Sequence, residues 1–169
     1  MNFTAPWDNT VKGLTCGVIA LLAVIYAVVY VAMRRAGAEE IGWVSYLVLG
    51  VFVLIVAGAY AFAPRGFRIV GGEVHIVRPL GPIRIPLREV QEVRRLDRSE
   101  IGGAIRTMGS GGLFGFYGFF RNKRLGNFRM YVTDRSRLVL LRANGTFVLS
   151  PDRPDVFVET VRSYVGQSG

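Results

Sequence analysis

The sequence predicts a helical hairpin of membrane-spanning length, followed by a mainly-β domain of about seven strands capped by a C-terminal helix. Three observations carry this reading. The 169-residue chain is both basic and apolar, with 21 Lys+Arg against 12 Asp+Glu, a net charge of +9 and 51% hydrophobic residues. The two properties separate along the chain. Residues 1–64 hold three basic and three acidic groups, so 65–169 carry the whole net charge. The apolar pattern also changes at that boundary, from long uncharged runs to short stretches broken by Gly and Pro. A simple soluble enzyme, a disordered tail and a disulfide scaffold are excluded by this composition.

The hairpin is expected over residues 1–64, with spans at about 13–33 and 41–63. Gly13 to Met33 and Ile41 to Ala63 contain no charged residue. At about 1.5 Å per residue each is long enough to cross a hydrocarbon core of about 30 Å. Lys12 and Arg34-Arg35 bracket the first run; Glu39-Glu40 and Pro64-Arg65 bracket the second. Trp7 and Trp43 stand near the segment starts, where amphipathic rings favour the headgroup layer. The first run is too long for the apolar region of a signal peptide and lacks a clean cleavage site. Two such runs joined by the short link Arg34–Glu40 also argue against buried helices of a soluble protein. A short link makes the helices antiparallel and puts both termini on one side. Lys12, Arg65, Arg68 and Arg78 outnumber the two arginines of the link, which places both termini in the cytoplasm and the protein in the inner (plasma) membrane. Gly13 and Gly17, with Ala57, Gly58 and Ala61, are expected to pack the two helices together. Cys16, inside the first span, is expected to behave as a small apolar residue.

From residue 65 to 169 the pattern is that of strands. Phe67–Val70, Val74–Arg78 and Ile83–Pro86 alternate in polarity and are separated by Gly71-Gly72 and Pro79-Leu80-Gly81-Pro82. Leu87, Val90, Val93 and Leu96 recur every three residues, fitting a short helix or a bulged strand; we read a strand. Arg129–Thr133, Arg137–Arg142 and Thr146–Leu149 form a second group, with Asn144-Gly145 marking a hairpin whose turn positions favour positive φ. Ser150-Pro151-Asp152 supplies a helix start. Val156, Phe157, Thr160, Val161, Tyr164 and Val165 then make one apolar stripe, ended by Gly166.

Several segments resemble bacterial pleckstrin-homology-like (PH-like) domains. They are Arg78-Pro79-Leu80-Gly81-Pro82-Ile83-Arg84-Ile85-Pro86-Leu87, Gly109-Ser110-Gly111-Gly112-Leu113-Phe114-Gly115 and Asn122-Lys123-Arg124-Leu125-Gly126. Met130-Tyr131-Val132-Thr133 and Leu149-Ser150-Pro151-Asp152 extend the likeness. The set is similar to a family of small bacterial membrane proteins that place such a domain after two transmembrane helices. The resemblance implies a seven-stranded split barrel capped by the last helix, and no catalytic residues.

The most unusual stretch is Gly102 to Gly126, with eight glycines, then Phe114, Phe116, Tyr117, Phe119 and Phe120, then Arg121, Lys123 and Arg124. It lacks the Lys-Ser/Thr that a Walker phosphate loop needs, so it is not read as a nucleotide site. Aromatic rings can enter a headgroup layer while adjacent cations meet anionic lipid. Arg121, Lys123, Arg124, Phe120 and Tyr117 are therefore the candidate lipid or partner contacts. The plainer alternative is a long hairpin whose rings fill the barrel, with Phe114, Phe116 and Phe119 turned inward.

His75 is the single histidine and Cys16 the single cysteine, so no metal set is expected. No Ser stands beside His75, and Asp97 and Glu100 among Arg94, Arg95 and Arg98 read as a salt-bridged turn rather than an acid/base pair. No catalytic residue and no cofactor are expected. The expected function is a membrane-anchored, non-catalytic binding module for a partner protein or a second copy, with anionic-lipid recognition as the alternative. Basic charge with aromatics also fits nucleic acid, but beside two spans the charge reports sidedness, and no nucleic acid is expected.

Overall fold

The structure, a computed structural model, describes residues 1–37 and 42–166. Glu39-Glu40 and Ile41, expected at the mouth of the second span, lie outside the described residues. Helix α1 covers Asn9–Arg35 and α2 covers Gly42–Phe62. Both are long and apolar enough to cross a membrane. Asp8 starts α1, its carboxylate accepting from the Val11 N–H at 2.7 Å and satisfying one of the free donors of the first turn. Cys16, Gly13 and Gly17 are exposed on the helix surface. A Cβ at Gly13, Gly17 or Gly58 would meet nothing within 4 Å. The small residues therefore leave open surface where mutual packing of the helices was expected.

Among the described residues ten strands, rather than the about seven expected, form two sheets. The first holds β1 (Asn2–Thr4), β2 (Gly66–Val70), β3 (Glu73–Val77) and β4 (Ile83–Pro86), in that order and antiparallel. The second contains β5 (Glu92–Leu96), β6 (Ile105–Gly111), β7 (Phe116–Asn122), β8 (Gly126–Val132), β9 (Leu138–Ala143) and β10 (Gly145–Leu149). Its order is β5-β9-β10-β8-β7-β6, with β10 parallel to β8. The C-terminal helix α3 spans Pro154–Gly166. The sheet pattern thus agrees with the expected mainly-β domain capped by a helix.

The strand alternation sorts side chains into two apolar clusters. Phe67, Ile76, Leu141 and Leu149 pack with Phe157 and Val161 of α3 in the main core. Leu140, Val148, Met130 and Phe120 fill a second cluster on the other face of the six-stranded sheet. Four consecutive residues of β9, Leu138 to Leu141, are fully buried because both faces of that strand are covered.

Several local expectations shift. The three-residue spacing of Leu87, Val90, Val93 and Leu96 reports a break rather than one element. Leu87–Glu89 is a 3-10 turn, whose period is three, and β5 begins at Glu92, so all four side chains still reach the interior. Helix α3 starts at Pro154, not at Ser150. The Ser150 hydroxyl is already engaged, accepting from the Thr133 N–H at 2.9 Å, and Pro154 occupies the first helical position instead. The buried stripe is accordingly Pro154, Phe157, Val158 and Val161, while Val156, Tyr164 and Val165 are exposed. The Asn144-Gly145 hairpin forms. Asn144 does not take a positive φ, since Phe114 is the only non-glycine that does among the described residues.

Strand β1 was not expected. Three residues carry too little pattern to read as a strand, yet Phe3 is buried against Phe157, ring centroids 5.2 Å apart. The salt-bridged turn was expected and takes a defined form. Arg94 donates to Glu100 at 2.9 and 2.7 Å and to Glu92 at 2.9 Å, and Asp97 caps a 3-10 turn over Arg98–Ile101.

Two predictions follow from this packing. Phe3→Ala removes a buried ring from the core and is expected to cost about 3 kcal/mol, read as a lower denaturation midpoint of the full chain in detergent. The Arg94 guanidinium holds the Glu100 carboxyl well below its ordinary 4.5, at about 2. A depressed carboxylate stabilises the fold above its unfolded value, and that contribution disappears as pH falls from about 4.5 to about 2. Because the carboxylate is partly solvated, the contribution is about 1 kcal/mol. Glu100→Gln is therefore expected to lower stability at neutral pH and to match the parent near pH 2 in an acid unfolding titration.

Candidate functional site

The glycine- and aromatic-rich stretch folds as the long hairpin β6–β7 and continues into β8. Gly109 and Gly118 face each other across it, both with positive φ, and a Cβ on either would collide with the opposite backbone. The glycines are therefore required by close strand approach and supply no phosphate cradle.

The hairpin tip rests on the helices. Thr15, buried within α1, donates to the Gly112 carbonyl at 3.4 Å and accepts from the Phe114 N–H at 3.0 Å. Phe114 sits in the left-handed region at φ 60, a conformation costly for a bulky residue unless its surroundings hold it. Here the ring lies between Trp7 and Tyr60, at centroid distances of 5.9 and 5.4 Å. It is thus a wedge between the ends of α1 and α2. The Tyr117 hydroxyl adds a second tie by donating to the Ala59 carbonyl of α2.

The predicted contact residues do not gather in one place. Tyr117 and Phe120 are buried on opposite faces of the sheet, Tyr117 toward the main core and Phe120 stacked on Phe128. Arg121, Lys123 and Arg124 are exposed at the turn between β7 and β8. That turn is at the far end of β7 from the tip that meets the helices, about 20 Å away at the rise of an extended strand. Phe114 is buried but between the helices, Phe116 is half-buried, and Phe119 is 42% exposed. Of the β7 rings Tyr117 turns to the main core, while Phe120 is buried in the second cluster on the other face of the sheet.

What the sequence did not disclose is a cleft of about 670 Å³ between the helices and the sheet. Val18, Gly58 and Phe62 form one wall; Met108, Phe119 and Tyr131 form the other, with Arg78 at the same site. Tyr117 and Tyr131 are direct cross-strand partners, so both rings stand on this face. Their hydroxyls are pushed upward in pKa by burial, and for Tyr131 the charges of Arg78 and Arg129 oppose that rise. Arg78 and Arg129 make no ion pair among the described residues. Arg78 lies 5.8 Å from the Phe62 ring centroid and donates through Nε to the Gly81 carbonyl at 3.1 Å. Arg129 lies over Phe119 at 5.1 Å. These residues come from six separate elements or turns, so no local spacing marks them.

His75 meets Glu73 at 2.8 Å. No metal-ligating group of three His, Cys, Asp or Glu side chains occurs among the described residues.

Two sheets of strands with a capping C-terminal helix define a fold of the PH-like class. A family model described as Bacterial PH domain matches residues 65–165, and the chain belongs to that family. No curated protein and no solved structure matches the chain. Membership supports a binding module in general.

Thr15→Val keeps the side-chain shape but leaves the Phe114 N–H unpaired, at an expected cost of about 1–3 kcal/mol. Hydrogen exchange should accelerate at the β6–β7 tip, residues 110–118, while β9 and β10 keep their protection.

Proposed function

We propose that the protein is a membrane-anchored, non-catalytic binding module that engages a partner protein or a second copy of itself at the inner face of the membrane. In this reading residues 1–64 anchor the chain as a two-span hairpin in the plasma membrane, with both termini cytoplasmic, and 65–169 form the recognition domain. The excess of Lys and Arg outside the link supports that orientation.

The observation that carries the binding reading is strand β6. It is seven residues long and forms an edge of the six-stranded sheet. Ile105 and Met108 on it are 71% and 64% exposed. Long edges with exposed apolar side chains accept a further strand, and soluble proteins usually shorten, charge or cover them. Arg121, Lys123 and Arg124 supply the electrostatic part of the same contact. Phe120 and Tyr117 anchor the strand that presents them. The distance of this turn from the helix ends favours an acidic partner over lipid flanking the protein's own helices.

The full chain, purified in mild detergent, is expected to carry a defined partner or to run as a defined oligomer. Placing charge on the edge with Ile105→Lys and Met108→Lys should dissociate that assembly without unfolding the domain. A wild-type particle that is strictly monomeric and partnerless would defeat the proposal.

A further inference from the structure

The face of the six-stranded sheet that carries the second apolar cluster has a recess beside the β6 edge, with a volume of about 400 Å³. Phe120 and Met130, both buried, line it with the half-buried Ile101 and Phe116. Its two charged lining residues are Arg106 and Arg135. The register of β6 on β7 sets Arg106 opposite Phe120 and Gly111 opposite Phe116, so Arg106 belongs to the face of those two rings. Gly111 has no side chain, and the Arg106 guanidinium lies over it, 3.0 Å from where a Cβ would stand. Arg106 also borders the cleft on the other face, as a side chain on an edge strand can. Arg135 comes from the turn after β8, and its guanidinium lies 4.8 Å from the Phe116 ring centroid.

Neither arginine has an acidic partner among the described residues. The Arg135 Nε is buried and makes no hydrogen bond. The rest of that guanidinium has only a long contact to the Thr10 hydroxyl, at 3.4 Å. A buried guanidinium nitrogen without an acceptor is unusual, because nothing replaces the water it has lost. A carboxylate entering the recess supplies that acceptor, and its two oxygens match guanidinium geometry. The apolar lining suits a methylene stem that carries the carboxylate.

Resting on the reading of β6 as a strand-accepting edge, we propose that the recess takes an acidic side chain of the strand that adds there. By its reach this side chain is a glutamate, and the strand belongs to another protein rather than to a second copy. Neighbouring strands lie about 4.8 Å apart, and residues paired across them share a face. A partner residue opposite Gly111 meets no side chain, so its own can lean across β6 toward Phe116. A glutamate stem spans that gap and brings its carboxylate to Arg106 and Arg135; aspartate is one methylene shorter. The chain's own edge strands argue against a second copy. β1, β4 and β6 contain no Asp or Glu, and Glu92 of β5 is already held by Arg94 and Arg142. Pairing β6 with β6 would bring a further Arg106 toward two guanidinium groups.

The full chain in mild detergent is titrated, by fluorescence anisotropy, with short labelled peptides of alternating threonine and valine. The peptides differ only at one central residue, which is glutamate or glutamine. The glutamate peptide is expected to bind about tenfold more tightly than the glutamine peptide. Arg106→Gln and Arg135→Gln should each remove most of that preference. Both should leave the affinity for the glutamine peptide unchanged, which also shows that the variants are folded. Arg84→Gln, an exposed charge on β4, should alter neither affinity. Binding of the glutamine peptide reports the edge alone and should be lost in Ile105→Lys with Met108→Lys. Equal affinity for the two peptides, or a preference that survives Arg106→Gln with Arg135→Gln, overturns the recess and leaves the edge standing. If neither peptide binds, or if binding ignores the two edge substitutions, the edge reading fails and the recess with it. A wild-type chain that forms a homo-oligomer through β6, with no other protein present, overturns the choice of partner.

Discussion

Thr4 of β1 lies opposite Gly66 of β2 in an antiparallel pair. Everything between them is an excursion that must return to its point of departure. The chain leaves the small sheet, runs out along α1, comes back along α2 and re-enters the sheet at the neighbouring strand. A Cβ at Gly66 would press on the Phe3 carbonyl at 2.7 Å, so the closing pair is also tight. Closing so long an excursion costs chain entropy, but that cost grows only slowly with length. Two stable helices reduce it further by fixing most of the path. The beginning of α1 and the end of α2 are thereby held at one edge of the barrel, and the other contacts elaborate that arrangement.

One elaboration is the wedge. With both helix ends fixed beside the sheet, the β6–β7 tip can reach between them, and Phe114 enters the gap while Thr15 holds its backbone. The Asp8 N–H donates to the Thr133 carbonyl at 2.9 Å, and the Asp8 carboxylate accepts from the Arg135 N–H at 3.3 Å. The start of α1 is thus tied to the segment just after β8 as well. Helices and barrel meet through hydrogen bonds to backbone at several separate points, which restrains rotation of one against the other more firmly than a single apolar contact would. The cleft is the space this arrangement leaves. α3 covers part of the main sheet face, but the row of Tyr117 and Tyr131 extends beyond it toward the helices.

How much of this was legible follows from how each element is covered. The two helices were readable because no charge interrupts them. Strands β2 to β4 and β8 to β10 were readable because one face is buried and alternation survives in Phe67-Arg68-Ile69 or Ile83-Arg84-Ile85. Strand β6 was not. Its sequence, Ile105-Arg106-Thr107-Met108-Gly109-Ser110-Gly111, has almost no buried position, so nothing forces a periodic pattern on it. The aromatics of β7 could be recognised as a hairpin but not assigned to faces, because rings stand at both alternating positions, Phe116 and Phe120 on one face and Tyr117 and Phe119 on the other, so alternation alone does not say which face is the core. The cleft was invisible for a different reason. Val18, Gly58, Arg78, Met108 and Tyr131 are far apart in sequence, and each taken singly looks like an ordinary helix, turn or strand residue.

The arginines of the domain fall into groups by the partner each one meets. Three carboxylates are committed around β5 and α3. Glu92 and Glu100 hold Arg94, and Asp155 holds Arg95, all around β5 and α3. The arginines beside the helices have aromatic partners instead. Arg65 lies over Tyr60 at 4.0 Å and Arg78 near Phe62 at 5.8 Å. A ring face attracts a cation without cancelling its charge. Positive charge therefore stays unpaired where the helices enter the barrel, as it does at the far turn, where Arg121, Lys123 and Arg124 make no ion pair among the described residues. Near the helices these arginines thus meet rings where those around β5 and α3 meet carboxylates, so the same residue type is neutralised in one place and left charged in another.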